Sequence, residues 1–217
     1  MPQNKDLKRL VRARMAETGE RYTQALAHVL SLTRLDPLPL PWRLTGSHAA
    51  DYELGLLPGL RHDGNRIVQL RLRPGLPDPA GFGALMQSIA ATRYAGRRVR
   101  FSATIRAVEV SGWAGLWLRA DGPRGTLTMD NMQDRPLRQS TGWAEADIVL
   151  DVPGEAIELH FGALLAGAGA VELTQPRLGE AGPDVPVTAV SSVVPLPDEP
   201  QALDFAARPL GVSGGAP

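Results

Sequence analysis

The sequence predicts a mainly β protein: an antiparallel β-sandwich or jelly roll that is preceded by a short N-terminal helical hairpin. Two observations predict this fold class. Apolar residues recur at helical spacing only before residue 36, and from residue 68 onward they alternate with polar residues in short runs. Strands and helices do not alternate along the chain, which argues against a parallel sheet. The chain of 217 residues is long enough for one such core with appendages.

Residues 1–35 are predicted to form a basic helical hairpin. A first helical pattern runs as far as the Thr18-Gly19-Glu20 turn, and a second, shorter one begins near Thr23. Seven basic residues face three acidic ones in this region, which leaves a surplus of positive charge that the whole chain, with zero formal net charge, does not have.

Proline-rich segments flank the predicted sandwich on both sides. Residues 36–44 contain three closely spaced prolines, which cannot be helical, so we predict an extended linker there. Residues 188–217 are rich in proline and glycine and poor in periodic apolar residues, which predicts a flexible tail. The sandwich is therefore expected to span residues 45–187.

Period-two alternation marks the strands inside this span. Its clearest runs send one set of aliphatic side chains to a common face, as half-buried strands do. Weaker candidates bring the total to eight or nine strands, separated by Gly, Pro or Asp clusters. The clear runs are Val68 to Leu72, Val99 to Ala107, Leu116 to Ala120, Ala146 to Val152 and Ile157 to Ala163, and the weaker ones are Tyr52 to Leu56, Gly83 to Ile89, Thr126 to Asp130 and Val171 to Leu178.

Composition excludes several function classes. The chain has no cysteine, so disulfides, thiolate nucleophiles and cysteine-ligated metal sites are excluded, and a cytoplasmic location is expected. Neither a signal peptide nor a membrane-spanning segment is predicted. The four histidines are scattered; only His160 and Glu158 have ligand-like spacing, and without a third ligand we interpret His160 as a solvated strand residue. We predict no metal and no cofactor.

A candidate ligand-binding face lies on the strand around Trp113. Leu116 and Leu118 take one side of this strand, so Trp113, Trp117 and Arg119 share the other, where two indoles could stack a sugar or an aromatic ligand. The alternative is that both indoles are packed in a core. The polar residues predicted to surround this face are Asp130, Asn131, Gln133 and Asp134, with Gln87 as a further candidate.

Catalysis has little support in the sequence, and no catalytic residue is predicted. The Gly-x-Ser-x-Gly pattern around Ser213 lies in the predicted tail and lacks the strand and helix of a nucleophile elbow. Asp121, Asp130 and Asp134 are the candidate carboxylates for glycoside cleavage, but that chemistry needs a defined separation between two of them.

The basic hairpin is a candidate nucleic-acid interface. Its basic side chains could contact DNA phosphates while the turn orients the second helix. The alternative is a solvated arm that packs on the sandwich or on another subunit, and dimerisation would help either arrangement. The candidate residues are Lys5, Lys8, Arg9, Arg12 and Arg14.

Several motifs between residues 46 and 187 together resemble a bacterial domain found C-terminal in helix-turn-helix transcription regulators, itself similar to carbohydrate-binding jelly rolls. The resemblance covers about two thirds of the chain and implies a sensor or binding role. The final strand departs from the pattern: Val171-Glu-Leu-Thr-Gln-Pro176 stands where Trp and paired Asp are usual, so a calcium site there is not implied. The hairpin is shorter than a complete AraC-type or MerR-type domain, so DNA binding is not implied either. The motifs are Gly46-Ser-His-Ala-Ala-Asp51-Tyr52-Glu53, Gly81-Phe-Gly, Gly112-Trp-Ala-Gly-Leu-Trp117, Asp130-Asn-Met-Gln-Asp-Arg-Pro136 and Leu150-Asp-Val-Pro153.

The leading hypothesis is a non-enzymatic ligand-binding or regulatory protein, whose jelly roll recognises a small molecule or saccharide and whose arm contacts DNA or a protein partner. Two alternatives stay open. One is a DNA-binding protein whose sandwich serves oligomerisation, and the other is a carbohydrate-active enzyme.

Overall fold

The computed structural model describes residues 3–25 and 34–188. Over these residues the predicted fold class is confirmed: a helix precedes eleven strands that form two antiparallel sheets. The helix, α1, spans Gln3–Thr18. The strands are β1 Arg43–Thr45, β2 Tyr52–His62, β3 Asn65–Leu72, β4 Phe82–Ala90, β5 Arg98–Val108, β6 Val110–Gly122, β7 Gly125–Asp130, β8 Leu137–Gln139, β9 Ala144–Asp151, β10 Glu158–Ala166 and β11 Ala170–Glu180.

The two sheets interleave strands that are distant in sequence. Sheet I has the order β1-β4-β10-β6-β7, with β8 paired to the first half of β6. Sheet II has the order β2-β3-β11-β5-β9. The centre of sheet I is the triplet β4-β10-β6, in which Gly162 of β10 lies between Met86 of β4 and Trp117 of β6.

The core lies between the inner faces of the sheets, where the predicted alternation places it. In β5, every second residue from Val99 to Ala107 is buried and its neighbours are not. Phe101 and Phe161 meet across the core with ring centroids 5.1 Å apart. Side chains alternate between the two faces of a strand. The side chains of sheet I that do not face the core therefore form a second, outward surface.

Two details of the strand prediction are corrected by the structure. Ile157 was expected to point inward with the β10 series, yet it precedes the strand and is 52% exposed. The Ile157 N–H donates a hydrogen bond to the Asp121 carbonyl, and the Ile157 carbonyl accepts one from the Ala91 N–H. The three-residue strands β1 and β8 were not predicted, since three residues are too short to show a period.

The N-terminal arm forms its own small apolar contact. Val11 and Ala25 are buried and Met15 packs against them, which joins α1 to the helical residues 22–25 across the turn. Gly19 occupies the left-handed region at φ +71°, a conformation that favours glycine at a helix end. The rest of the predicted second helix, residues 26–33, lies outside the described residues.

The flanks of the sandwich are more closely attached than a free linker and a free tail would be. Asp36 exchanges two backbone hydrogen bonds with Leu56, and Trp42 packs edge-on against Phe161 at 5.7 Å. At the other end, Thr188 bonds to Val149 through both its backbone and its side chain. The predicted tail beyond it, residues 189–217, lies outside the described part of the chain. Within the described ranges, no helix has both the length and the apolar character needed to cross a membrane.

Candidate functional site

A cavity of about 540 Å³ opens on the outer face of sheet I, on the side of β4, β10 and β6 that faces away from the core. This volume lies in the range of small-molecule sites. Its apolar wall comes from four strands and its polar rim from β1, β6 and the loop that follows β7. The apolar residues are Phe82, Ala84, Met86, Trp113, Trp117, Met129 and Leu164, and the polar ones are Thr45, Arg119, Asn131 and Gln133, with Gly46 beside them.

Strand alternation explains why these side chains meet. Trp113, Trp117 and Arg119 occupy alternate positions of β6, opposite in phase to the core residues Leu116 and Leu118, as the sequence predicts. The antiparallel register then brings the outward residues of β4 and β10 alongside them. Both indoles therefore lie outside the main core, in a separate apolar cluster.

Trp117 forms the floor of the cavity. It is only 7% exposed, and its Nε1 donates a hydrogen bond to the Leu85 carbonyl oxygen at 3.2 Å. Gly162 leaves this oxygen accessible, because a Cβ at that position would collide with it. The predicted open stacking platform of two indoles is therefore corrected: Trp113 is half-buried at the wall, and Trp117 is buried beneath it.

The loop after β7 reaches the cavity because of Gly115. A Cβ on Gly115 would lie 2.9 Å from Cβ of Met132, so the loop can cross β6 only over a residue without a side chain. Met132 anchors the crossing, since its Sδ accepts a hydrogen bond from the Leu116 N–H at 3.2 Å. This crossing carries Asn131 and Gln133 to the cavity rim, where they were predicted. Gly115 therefore makes room for this loop and not for a ligand.

Three of the predicted rim residues lie elsewhere. Gln87 alternates with Met86 and therefore points to the opposite face of β4. Asp130 is buried at the edge of the inner face, where it binds Arg135 at 2.7 Å. Asp134 pairs with the same arginine at 2.8 Å. Asp130 and Asp134 belong to the same segment as Asn131 and Gln133, but the turn at Met132 directs their side chains away from the cavity.

Hydrogen bonds to Asp130 keep it a carboxylate although it is buried. Desolvation would raise the pKa of this carboxyl, but hydrogen bonds from Arg135, the Met132 N–H and Thr188 outweigh it and lower the pKa below its usual value. Asp130 is thus a structural carboxylate that joins the loop after β7 to Thr188.

A polar row continues the outer face beyond the cavity. His160 is 6% exposed, so its interpretation as a solvated residue is wrong. Its Nδ1 lies 2.7 Å from Ser88 Oγ, and its Nε2 lies 3.1 Å from Asp121 and 3.3 Å from Glu158. Asp121 also binds Arg119 Nη2 at 2.8 Å. No group of three or more His, Cys, Asp or Glu side chains in the described residues is arranged to hold a metal ion.

The sequence analysis named several members of this row separately, but it did not group them, and it missed Ser88 and most of the apolar wall. Ser88 and Arg43, which lie 2.7 Å apart, come from strands β4 and β1 that meet only in the tertiary structure. Phe82 and Met86 do alternate on β4, and that spacing was the one available signal. Nothing in the sequence indicated that β4 and β6 flank the same strand.

The basic arm keeps only part of its predicted surface. Lys8 and Arg12 are exposed one helical turn apart on α1. The Arg14 guanidinium binds Glu20 through two hydrogen bonds of 2.8 Å, so Arg14 fastens the turn. The side chains of Lys5 and Arg9 fall outside the described part of the chain.

Comparisons with known proteins place this site in context. No family model matches the chain. The chain is 35% identical over 165 residues to an uncharacterized HTH-type transcriptional regulator, YbfP, of Bacillus subtilis (strain 168); the alignment covers 76% of this chain and 56% of the relative. The chain thus spans a little over half the length of the curated relative that it matches.

Solved structures share the fold at low identity. The enzymatically active domain of tailspike protein 4 of bacteriophage CBA120 matches 65% of this chain and 20% of its own, with 11% identity and a TM-score of 0.51. The CBM22-1 xylan-binding domain of Xyn10C from Paenibacillus barcinonensis matches 67% of this chain and 88% of its own, with 12% identity and a TM-score of 0.45. The sequence similarity confirms the predicted resemblance to helix-turn-helix transcription regulators.

Proposed function

We propose that this protein is a non-enzymatic, cytoplasmic regulator whose sandwich binds a small molecule or saccharide in the sheet I cavity and whose basic arm contacts DNA or a protein partner. The observation that carries the proposal is the cavity itself, in which an apolar wall faces a rim of directed polar groups. Such a combination is typical of ligand sites, where the wall provides affinity and the rim provides orientation. The similarity to an HTH-type transcriptional regulator of B. subtilis supports a role in transcription.

Replacing Trp113 tests the ligand site. Trp113→Ala removes part of the cavity wall without touching the floor, so ligand-induced stabilisation should be lost while the protein stays folded. The measurement is a thermal-shift screen of neutral and acidic saccharides and of aromatic carboxylates, with wild type and variant side by side. Trp143→Ala is the matched control, because it removes a half-buried indole that lies just before β9, stacks on His62 and does not line the cavity. A ligand that stabilises Trp113→Ala as strongly as wild type would contradict the site.

A second candidate function is DNA binding through the arm, and the exposed pair Lys8 and Arg12 favours it. Phosphate contacts release counterions, so the affinity should fall steeply with salt, and neutralising both residues should reduce the salt slope by about two. The measurement is fluorescence anisotropy with a labelled DNA duplex at several salt concentrations, comparing Lys8→Gln/Arg12→Gln with wild type.

Arg124→Gln provides the charge control for this experiment, since Arg124 is an exposed cation in the turn between β6 and β7. If the arm variant and the turn variant lose affinity equally, the arm has no specific role. Homodimerisation would present two arms to one duplex, and sedimentation of the full chain would detect it.

A carbohydrate-active enzyme receives less support. Glycoside cleavage needs two carboxyl groups on either side of the scissile bond. Among the described residues that line the cavity, none carries a carboxylate, and Asp121 and Glu158 are held beyond it by His160. We therefore propose that the sandwich binds its ligand without transforming it.

A further inference from the structure

We infer that the sheet I cavity selects an amphipathic organic anion, with an apolar body and an acidic head, over a neutral saccharide. The inference rests on the proposed function and names the class of ligand. It follows from three features of the cavity: the chemistry of its floor, the hydrogen-bonding groups of its rim, and the way in which the Arg119 side chain is held.

The floor and wall offer apolar contact almost exclusively. The Trp117 N–H is already bonded to the Leu85 carbonyl, so its ring is the part left for a ligand. Met86, Met129 and Leu164 surround it with thioether and aliphatic groups. A hydroxyl-covered sugar chain would lose hydrogen bonds to water against this wall, whereas a hydrocarbon or aromatic body would not.

The rim presents more donors than acceptors when the guanidinium of Arg119 is added to the amides of Asn131 and Gln133 and the hydroxyl of Thr45. Asn131 Oδ1 accepts the Gln133 N–H at 3.1 Å, which uses one of its two lone pairs, and the Asn131 NH₂ group offers two donors. Arg119 carries donors only, and it is the one charged side chain among the described residues of the lining. Sugar hydroxyls need acceptors as well as donors, but a carboxylate or sulfonate needs donors alone. The rim therefore matches an acidic head.

Arg119 is positioned from the side away from the cavity. Asp121 holds its Nη2 at 2.8 Å, His160 contacts Asp121, and Ser88 contacts His160. Arg119 Nε is buried and has no hydrogen-bond partner. A guanidinium held in this way loses little side-chain freedom when it binds an anion, and a charge-assisted hydrogen bond is stronger than a neutral one.

A matched pair of probes tests this inference. 1-Anilinonaphthalene-8-sulfonate and N-phenyl-1-naphthylamine share an apolar body and differ in the sulfonate. Fluorescence titration of the full chain should show one saturable site for the sulfonate. Arg119→Gln should weaken that binding about tenfold, as the loss of a charge-assisted contact predicts, and should leave the neutral probe within about twofold. Trp113→Ala should weaken both probes, and Arg124→Gln should weaken neither.

Each outcome decides between the inference and the proposed function. If Arg119→Gln leaves the sulfonate affinity unchanged, or if neutral cellohexaose binds the cavity more tightly than the sulfonate, the anion preference is overturned and the ligand site stands. If neither probe and no saccharide binds in a manner that depends on Trp113, both fall. Arg119→Lys keeps the charge without the planar fork, and it should recover part of the sulfonate affinity. Near-UV circular dichroism shows that each variant is folded before titration.

Discussion

At the scale of single residues, Trp117 illustrates how one side chain can be excluded from the main core and still be buried. It takes the outward phase of β6, yet neighbours on β4 and β10 cover it, and its N–H has a partner across Gly162. Its role is therefore to hold the three central strands of sheet I together on the outer side, beneath whatever the cavity binds.

Truncating Trp117 should destabilise the protein. Trp117→Ala removes a buried indole and is expected to lower the free energy of unfolding by about 3–5 kcal/mol. Trp117→Phe keeps most of the volume but leaves the Leu85 carbonyl without its donor, at a cost of about 1–3 kcal/mol. Urea unfolding followed by circular dichroism measures both. A Trp117→Ala variant as stable as wild type would show that the indole is not packed as described.

Asp130 gives the protein a stability that depends on pH. Its pKa is lowered in the folded state, so its contribution is present above the pKa of the unfolded chain and is lost as the pH falls through the folded value. Urea unfolding of wild type should therefore weaken below about pH 4. Asp130→Asn should be less stable than wild type at pH 7, and the difference should shrink at pH 3. As a control at pH 7, Asp134→Asn removes a more exposed contact with the same arginine and should cost at most about 1 kcal/mol.

At the scale of elements, the tip of the β2–β3 hairpin is fastened onto the outer face of sheet II by a buried polar cluster. Glu172 of β11 is 4% exposed and accepts hydrogen bonds of 2.7 Å from Gln69 and from Arg106. The Trp143 ring covers Arg106, whose guanidinium carbon lies 4.7 Å from the ring centroid, and His62 stacks on that ring. The cluster thus joins the hairpin to the opposite edge of the sheet.

Removing the charge of Glu172 should loosen this attachment. Glu172→Gln leaves Arg106 without its buried partner, and the free energy of unfolding should fall by about 3 kcal/mol. The matched control is Glu180→Gln, which breaks the more exposed pair with Arg97 and should cost at most about 1 kcal/mol. Chemical denaturation measures both, and equal losses would mean that the Glu172 pair is not buried.

The strands show which elements a sequence can predict. β5 was predictable because buried residues alternate with less buried ones along its whole length. β6 and β10 were predictable from the spacing of their inward aliphatic residues, although β10 is buried on both faces. Ile157 was assigned the wrong environment because alternation gives the phase of a run and not its first residue. β8 was unpredictable because its pairing with β6 shifts in register and involves only three residues.

At the scale of the whole molecule, the two faces of sheet I have different roles. The inner face of sheet I completes the core, and its outer face forms the cavity and the polar row. The triplet β4-β10-β6 brings together strands that begin at residues 82, 158 and 110, so the site exists only once both sheets have assembled. The basic arm has its own small apolar contact, made by Val11, Met15 and Ala25. This is consistent with the proposed division between a ligand site and a DNA or protein contact.

The sequence by itself determined the fold class, the phase of the long strands and the grouping of Trp113, Trp117 and Arg119 on one side of β6. These properties depend on the two-residue period of a strand, which is local. Only the tertiary structure decided that Trp117 is buried, that Gln87, Asp130 and Asp134 lie away from the cavity, and that Ser88, His160 and Asp121 position Arg119. Those outcomes depend on which strands become neighbours and on where a loop crosses Gly115, and contacts between distant segments leave no local pattern in a single chain.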